Sequence, residues 1–280
     1  MPLGPLGPMG SAEGDKTVFV TLCNAAHFHR AKQTIKDLRT RGGWTGDVVL
    51  ISVECEAPAE FLTEYRVEVV SFPKFDLDSY LDKIRSKPFT DPTNDGRELS
   101  KTVQWEKLHA LEPWFQERWD RVVFLDAGLR VLASVDALLA LPWRGRFLAP
   151  DDTQGKTHRF GIAVERVNWP DALSAVQSRY GVDLDARYFL NCMWVYDTRL
   201  RIPVSEFLEM LAFPIWRHNE MGAMNAVLTF KHRLWTAFPP VVGSGALTGK
   251  YLFDWCELNR SGTFWTDYCF LKYPVTIKFD

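Results

Sequence analysis

The sequence predicts an α/β fold: a mostly parallel central sheet with helices on both faces. Three observations point to it. Short runs are almost continuously apolar and β-branched, as strands buried on both faces are. Amphipathic stretches with apolar residues at helical spacing separate these runs. The two kinds alternate at the interval of βαβ units.

Taken in order, "TVFVTLCN" (17–24) is a buried strand that ends at polar residues. "HRAKQTIKDLRTRGG" (29–43) places Ala31, Ile35 and Leu38 on one helical stripe and stops at a double glycine. "DVVLISV" (47–53) is a second strand, "PAEFLTEY" a short helix opened by Pro58, and "VEVVSFP" (67–73) a third strand. Residues 74–99, with "KPFTDPTNDGRE", are polar and turn-rich and are expected as an insertion or mobile loop outside the core. "SKTVQWEKLHALEPWFQERW" (100–119) predicts one helix, with Trp105, Leu108, Leu111 and Phe115 on its apolar stripe. "RVVFLDAGLRV" (121–131) is a strand that ends at Asp126. "DALLALP" (136–142) reads as a helix and "RFLAPDD" (146–152) as a strand. Then come "YFLNCMWVYD" (188–197), "SEFLEML" (205–211), "NEMGAMNAVLTF" (219–230) and "LWTAFPPVV" (234–242). The aromatic C-terminal segment resists assignment by pattern. The opening "MPLGPLGPMGS" is too short for a collagen helix. Residues 1–16 are expected as a disordered tail or linker, and 17–280 as one domain.

Composition narrows the partners. The 280 residues are 46% hydrophobic and 24% charged, enough for a sizeable core. Thirty-three basic and thirty-five acidic residues give a net charge of −2. With no basic excess to neutralise phosphates, neither nucleic acid nor an anionic membrane is expected as a partner. No run approaches the ~20 apolar residues of a membrane span. The cysteines (Cys23, Cys55, Cys192, Cys256, Cys269) are odd in number and scattered, which argues against a disulfide framework or a zinc site. A reduced, cytoplasmic protein is expected, with a lumenal catalytic fragment lacking its anchor as the alternative.

Four stretches, in this order, resemble the GT-A fold of nucleotide-sugar glycosyltransferases, a Rossmann-like architecture, and above all the glycogenin and bacterial galactosyltransferase relatives. "TLCNAAHF" resembles their first-strand loop, which meets the nucleobase. "KLHALEPWFQERWDRVVFLDAG" resembles their lysine-bearing helix followed by a strand ending in Asp-x-Asp. "FLNCMWVYD" resembles their Phe-Asn-Ser-Gly strand, and "EMGAMNAVL" their Asp-Gln-x-x-Leu-Asn helix. The resemblance covers about residues 17–242. It implies a hexosyltransferase that takes a nucleotide-diphosphate sugar, UDP-linked above others, and passes the hexose to a hydroxyl of a glycan, protein or small molecule.

This chain departs from that pattern at three places. The second Asp of Asp-x-Asp is Gly128, the Asp-Gln pair is Glu220-Met221, and "GSGALTGKY" (243–251) keeps Lys250 but no histidine. The relatives use manganese or magnesium, and such cations want several oxygen ligands. The resemblance therefore implies either a weakly held or dispensable Mn²⁺ or Mg²⁺ on Asp126 and the donor's phosphates, or cationic side chains in its place.

The resemblance puts Thr21, Cys23, Asn24 and Phe28 at the nucleotide, Lys107 at a phosphate, Asp126 at the diphosphate and ribose, and Asn191 at the donor sugar or acceptor. Asp126 ends a strand at the carboxyl edge of a parallel sheet, where open α/β folds bind ligands; it could equally cap a turn. Ala127 and Gly128 follow, and Gly128 serves either close backbone approach to a diphosphate or a turn that needs positive φ. Lys107 otherwise is a solvated helix lysine. Arg130 and Lys250 are further phosphate candidates. Glu220 is either an anion in the first turn of a helix or the general base that takes the acceptor's proton. Asp151 and Asp152 end another strand, face opposite sides, and are rival carboxylates. Trp216, Trp255 and Trp265 are candidate sugar platforms, with core packing as the alternative. The rival to an enzyme is a catalytically inactive GT-A-fold module that recognises a sugar nucleotide or glycan. Nucleotidyl transfer is disfavoured, since "CNAAHFHRAK" lacks the glycine-rich loop it would use.

Overall fold

The computed structural model describes residues 14–87, 101–152, 159–239, 251–255 and 268–272. The glycine-proline opening, residues 88–100, Lys250 and Trp265 lie outside these residues, and Trp255 is described by its backbone alone.

The elements are β1 (Thr17–Asn24), α1 (Phe28–Thr40), β2 (Asp47–Val53), α2 (Ala59–Tyr65), β3 (Glu68–Val70) and α3 (Asp78–Ser86). A 3₁₀ segment (Thr102–Leu111) and α4 (Pro113–Gln116) lead into β4 (Arg121–Leu125), β5 (Leu129–Val131), α5 (Asp136–Leu139) and β6 (Phe147–Ala149). Then follow α6 (Pro170–Tyr180), β7 (Met193–Asp197), α7 (Val204–Leu208), α8 (Glu220–Asn225), β8 (Trp235–Ala237), β9 (Tyr251–Trp255) and β10 (Tyr268–Lys272).

A seven-stranded sheet runs in the order β3-β2-β1-β4-β7-β6-β8. Its neighbours are parallel except where β7 pairs antiparallel with β4 and with β6. The expected α/β, Rossmann-like arrangement is what forms. Strand alternation divides the apolar residues between two cores. Val18, Val20, Val122, Phe124, Trp194 and Tyr196 pack on one face. Phe19, Val48, Leu50, Val123, Leu125 and Val195 pack on the other. Because both faces are covered, the strands carry no polar register, and that is why they read as continuous apolar runs.

Three expectations need correction. Residues 78–86 form α3 and bury Tyr80 and Ile84 in the core, so that part of the polar segment is structural. The helix expected over 100–119 is a 3₁₀ segment and a short α4, broken at Pro113. A residue before proline is pushed out of the helical region, and Glu112 is extended at φ −68°, ψ 156°. All of Trp105–Leu111 is buried, so the segment has no solvent face. Finally, α8 widens into a π-helical turn at Ala226–Lys231.

A second, three-stranded sheet has the order β5-β10-β9. β10 pairs antiparallel with β5, placing Lys272 opposite Leu129. This register carries the C-terminal strand to the turn that follows β4.

Candidate active site

β1 and β4 are parallel neighbours, so Asn24 and Asp126 leave the sheet at the same carboxyl edge. The Asp126 amide still donates to Cys192 O at 2.8 Å, which extends the β4–β7 ladder one step. The chain then turns, with Leu129 N donating to Asp126 O at 3.0 Å. Gly128 makes the turn at φ +94°, a region that disfavours any side chain. Its N–H donates to Thr34 Oγ1 (3.0 Å), and Thr34 Oγ1 donates to Leu129 O (2.8 Å). The turn is thereby fixed to α1, and the Gly128 amide is already used. A Cβ at Gly128 would sit 3.4 Å from Cδ of Arg30.

Lys107 projects from the 3₁₀ segment beneath this turn and is 1% exposed. Its ammonium lies 2.8 Å from Glu220 Oε1, 3.1 Å from Asp126 Oδ1 and 3.4 Å from Asn191 O. Those contacts occupy its three donors. It also sits 5.4 Å from the centre of the Phe124 ring. The solvated helix lysine of the sequence reading is therefore replaced by a buried one. Burial works against the Lys107 charge, but Asp126 and Glu220 outweigh it and raise its pKa.

Glu220 has no exposure at all. Oε1 accepts from Asn191 Nδ2 at 2.7 Å as well as from Lys107, while Oε2 is buried and accepts from no described residue. Burial raises the Glu220 pKa and prevails over the opposing pull of Lys107. Asp126 is the half-open end of the cluster. Burial pushes its carboxyl up, but Lys107 and then Lys272 outweigh that and hold it below the usual carboxylate range. Thus Lys107, Asp126, Asn191 and Glu220, four residues from four separate stretches, converge.

Lys272 was not found from sequence. Its ammonium donates to Asp126 Oδ2 at 3.3 Å and to Ala127 O at 3.4 Å. The signal was a lysine in the apolar run "YCFLKYPV", readable only once the register with β5 is known. Beside it lies a cationic rim. The His27 imidazole is lowered by burial first, then by Arg30, His29, Lys272 and Lys101, so the potential there is positive.

Other expected residues are placed as follows. Asn24 is half-buried and accepts from the N–H of His27 at 3.2 Å, with Nδ1 of His27 at 2.7 Å from the same oxygen. Phe28 stands edge-on to Phe61, 5.6 Å between ring centres. Thr21 is buried with Oγ1 unpartnered among described residues. Cys23 is buried, and burial followed by Cys55 pushes its thiol up to about 12, so it is inert. Asp151 is ion-paired with Arg187, and burial first, then Asp126 and only lastly Asp152, push the Cys192 thiol up to about 12. Arg130 does not face a ligand: it is buried and paired through two nitrogens with Asp37 of α1. Trp216 is fully buried, donates from Nε1 to Met210 O at 2.9 Å and packs on Gly222, so it is core rather than a sugar platform.

The donor set does not fit a hard divalent cation. Both Asp126 oxygens face ammonium groups, the residue two positions on is a glycine, and Glu220 is enclosed with Lys107. No group of three His, Cys, Asp or Glu side chains that could hold a metal ion occurs among the described residues. Such ions want at least six oxygen ligands, and these oxygens already serve cations.

The sheet is mixed, with β7 reversed, and solved glycosyltransferase structures of the GT-A type share this fold. The galactosyltransferase LgtC, solved with donor and acceptor sugar analogues, superposes with a TM-score of 0.57 at 9% identity over 91% of this chain and 86% of its own. The bifunctional glycosyltransferase WbbM, in its apo form, gives 0.52 at 15% identity over 83% of this chain. The chain spans only 40% of WbbM. No family model and no curated protein matches the sequence. At these identities the likeness establishes the fold.

Proposed function

We propose that the protein transfers a hexose from a nucleotide-diphosphate sugar, a UDP-sugar above others, to a hydroxyl of a glycan, protein or small molecule. The observation that carries this reading is the bridge made by Lys107 between Asp126 and Glu220 at the carboxyl edge of a GT-A sheet. In this reading, Asp126, whose side chain is 23% exposed, is the carboxylate that meets the donor at the ribose and diphosphate. Thr21, Cys23, Asn24 and Phe28 line the approach of the nucleobase, through the backbone where their side chains are buried or already bonded. Lys107 fixes Asp126 from below and does not itself meet a phosphate, because its donors are spent. Asn191 and Glu220 hold the inner wall. Full burial makes Glu220 a positioning residue in the resting protein rather than the general base expected of it. Acceleration then comes from orientation and from a field prepared for the departing diphosphate.

The test is a panel of UDP-, GDP- and ADP-sugars read by thermal shift, then by donor hydrolysis and by transfer to simple glycosides. One donor is expected to stabilise the fold and to turn over. Asp126→Asn and Glu220→Gln are expected to lose turnover, the second with a fall in kcat larger than any change in KM. Unchanged rates in both would overturn the assignment of the site. The enclosure of Glu220 favours a second reading, an inactive module; donor binding without hydrolysis or transfer across the panel would select it.

A further inference from the structure

Resting on the donor-site reading above, the geometry points to Lys272 and Arg30 as the cations that receive the donor's diphosphate in place of a divalent metal. Lys272 stands at the open side of Asp126, while Lys107 is closed beneath it. An Nζ that holds Asp126 Oδ2 and Ala127 O at 3.3 and 3.4 Å keeps a third donor for a phosphate oxygen. Arg30 extends its side chain across Gly128, the position where a second metal-binding carboxylate would stand. Its guanidinium has no hydrogen bond or ion pair to any described residue, so its five donors remain to be used. Arg30, His29, Lys272 and Lys101 all bring positive charge to bear on His27. An anion is the complement of such a field, and a metal ion is not.

The charges fit the transfer step. The C1–O bond to the diphosphate breaks and its electron pair stays on the phosphate oxygen, whose new charge Lys272 and Arg30 take up. The acceptor oxygen bonds to C1, and its proton passes to the released diphosphate or to water. No oxidant, reductant or further reactant enters. Arg offers a planar fork to phosphate oxygens, Lys a point charge, and both contacts are charge-assisted.

The test is calorimetric titration of the full chain with uridine diphosphate, guanosine diphosphate and inorganic pyrophosphate, in EDTA and in Mn²⁺. At least one nucleoside diphosphate is expected to bind in EDTA, and the protein alone, without nucleotide, is expected to leave the electron paramagnetic resonance signal of free Mn²⁺ undiminished. Lys272→Met and Arg30→Gln are each expected to weaken binding in EDTA about tenfold to a hundredfold, the loss of one charge-assisted contact. Lys272→Arg is expected to recover most of it. Arg30 has no side-chain partner among the described residues, so its variant is expected to fold normally; circular dichroism checks both. Binding that needs Mn²⁺, or unweakened binding by both variants, would overturn the inference and leave the donor-site reading standing. Binding of no diphosphate under either condition would overturn both.

Discussion

Lys107 and Glu220 form an ion pair of 2.8 Å with 1% and 0% side-chain exposure, so neither charge has solvent to fall back on. A buried pair of this kind adds little net stability over an apolar pair, but removing one partner is costly, about 3–5 kcal/mol. Lys107→Met is therefore expected to lower unfolding free energy in urea by about that amount. Glu220→Gln is expected to cost less, since Asp126 still faces Lys107. The double variant should recover about 1–3 kcal/mol relative to the sum of the singles. Simple additivity would show that the pair is not coupled.

Gly128 carries a second expectation, independent of any ligand. At φ +94° a Cβ is strained whatever space surrounds it, even though its nearest neighbour, Arg30 Cδ at 3.4 Å, is only at van der Waals distance. Gly128→Ala is expected to destabilise by about 1–3 kcal/mol. The same strain meets Gly128→Asp, so placing a carboxylate there should also cost stability. A midpoint equal to wild type in both would contradict the turn described here.

His109 predicts a pH dependence. It lies between the rings of Phe72 and Phe75, with Nε2 2.9 Å from Glu106 and Nδ1 3.5 Å from Glu112. Burial lowers its pKa, but the two carboxylates prevail and raise it above the ordinary value. The folded state therefore holds the proton more tightly than the unfolded one. This contribution is fully present below an unfolded pKa of about 6.5 and is lost as pH rises through the higher folded value. Urea midpoints should fall more steeply from pH 6.5 upward in wild type than in His109→Gln. Parallel slopes would refute the assignment.

Arg130 and Arg30 should behave oppositely. Arg130 is locked to Asp37 between α1 and β5, so Arg130→Met is expected to cost about 3–5 kcal/mol of stability. Donor affinity of the folded fraction should be unchanged. Arg30 has no such partner among the described residues, and its replacement should spare stability. Chemical unfolding and calorimetry on the same preparations separate the two, and a binding loss at Arg130 without a stability loss would reverse the roles.

Much of the fold was legible because it is written in local pattern. The runs at 17–24 and 47–53 are strands with those bounds, and the α1 stripe of Ala31, Ile35 and Leu38 faces the core as expected. Where pattern failed, a competing local cause was at work. Pro113 split a helix whose apolar stripe looked unbroken, and the polar run around Tyr80 hid two core anchors, Tyr80 and Ile84.

The sequence by itself determined the α/β order and the apolar strand that stops at Asp126, and it offered Lys107, Asn191 and Glu220 as candidates. Only the tertiary structure decided what those groups do to one another. Lys107 and Asp126 are nineteen residues apart, Asp126 and Lys272 one hundred and forty-six. No periodicity spans such distances; strand order and the β5–β10 register bring them within 3.3 Å. Burial then sets their chemistry, because removing water turns ordinary charges into a fixed network in which each one answers another.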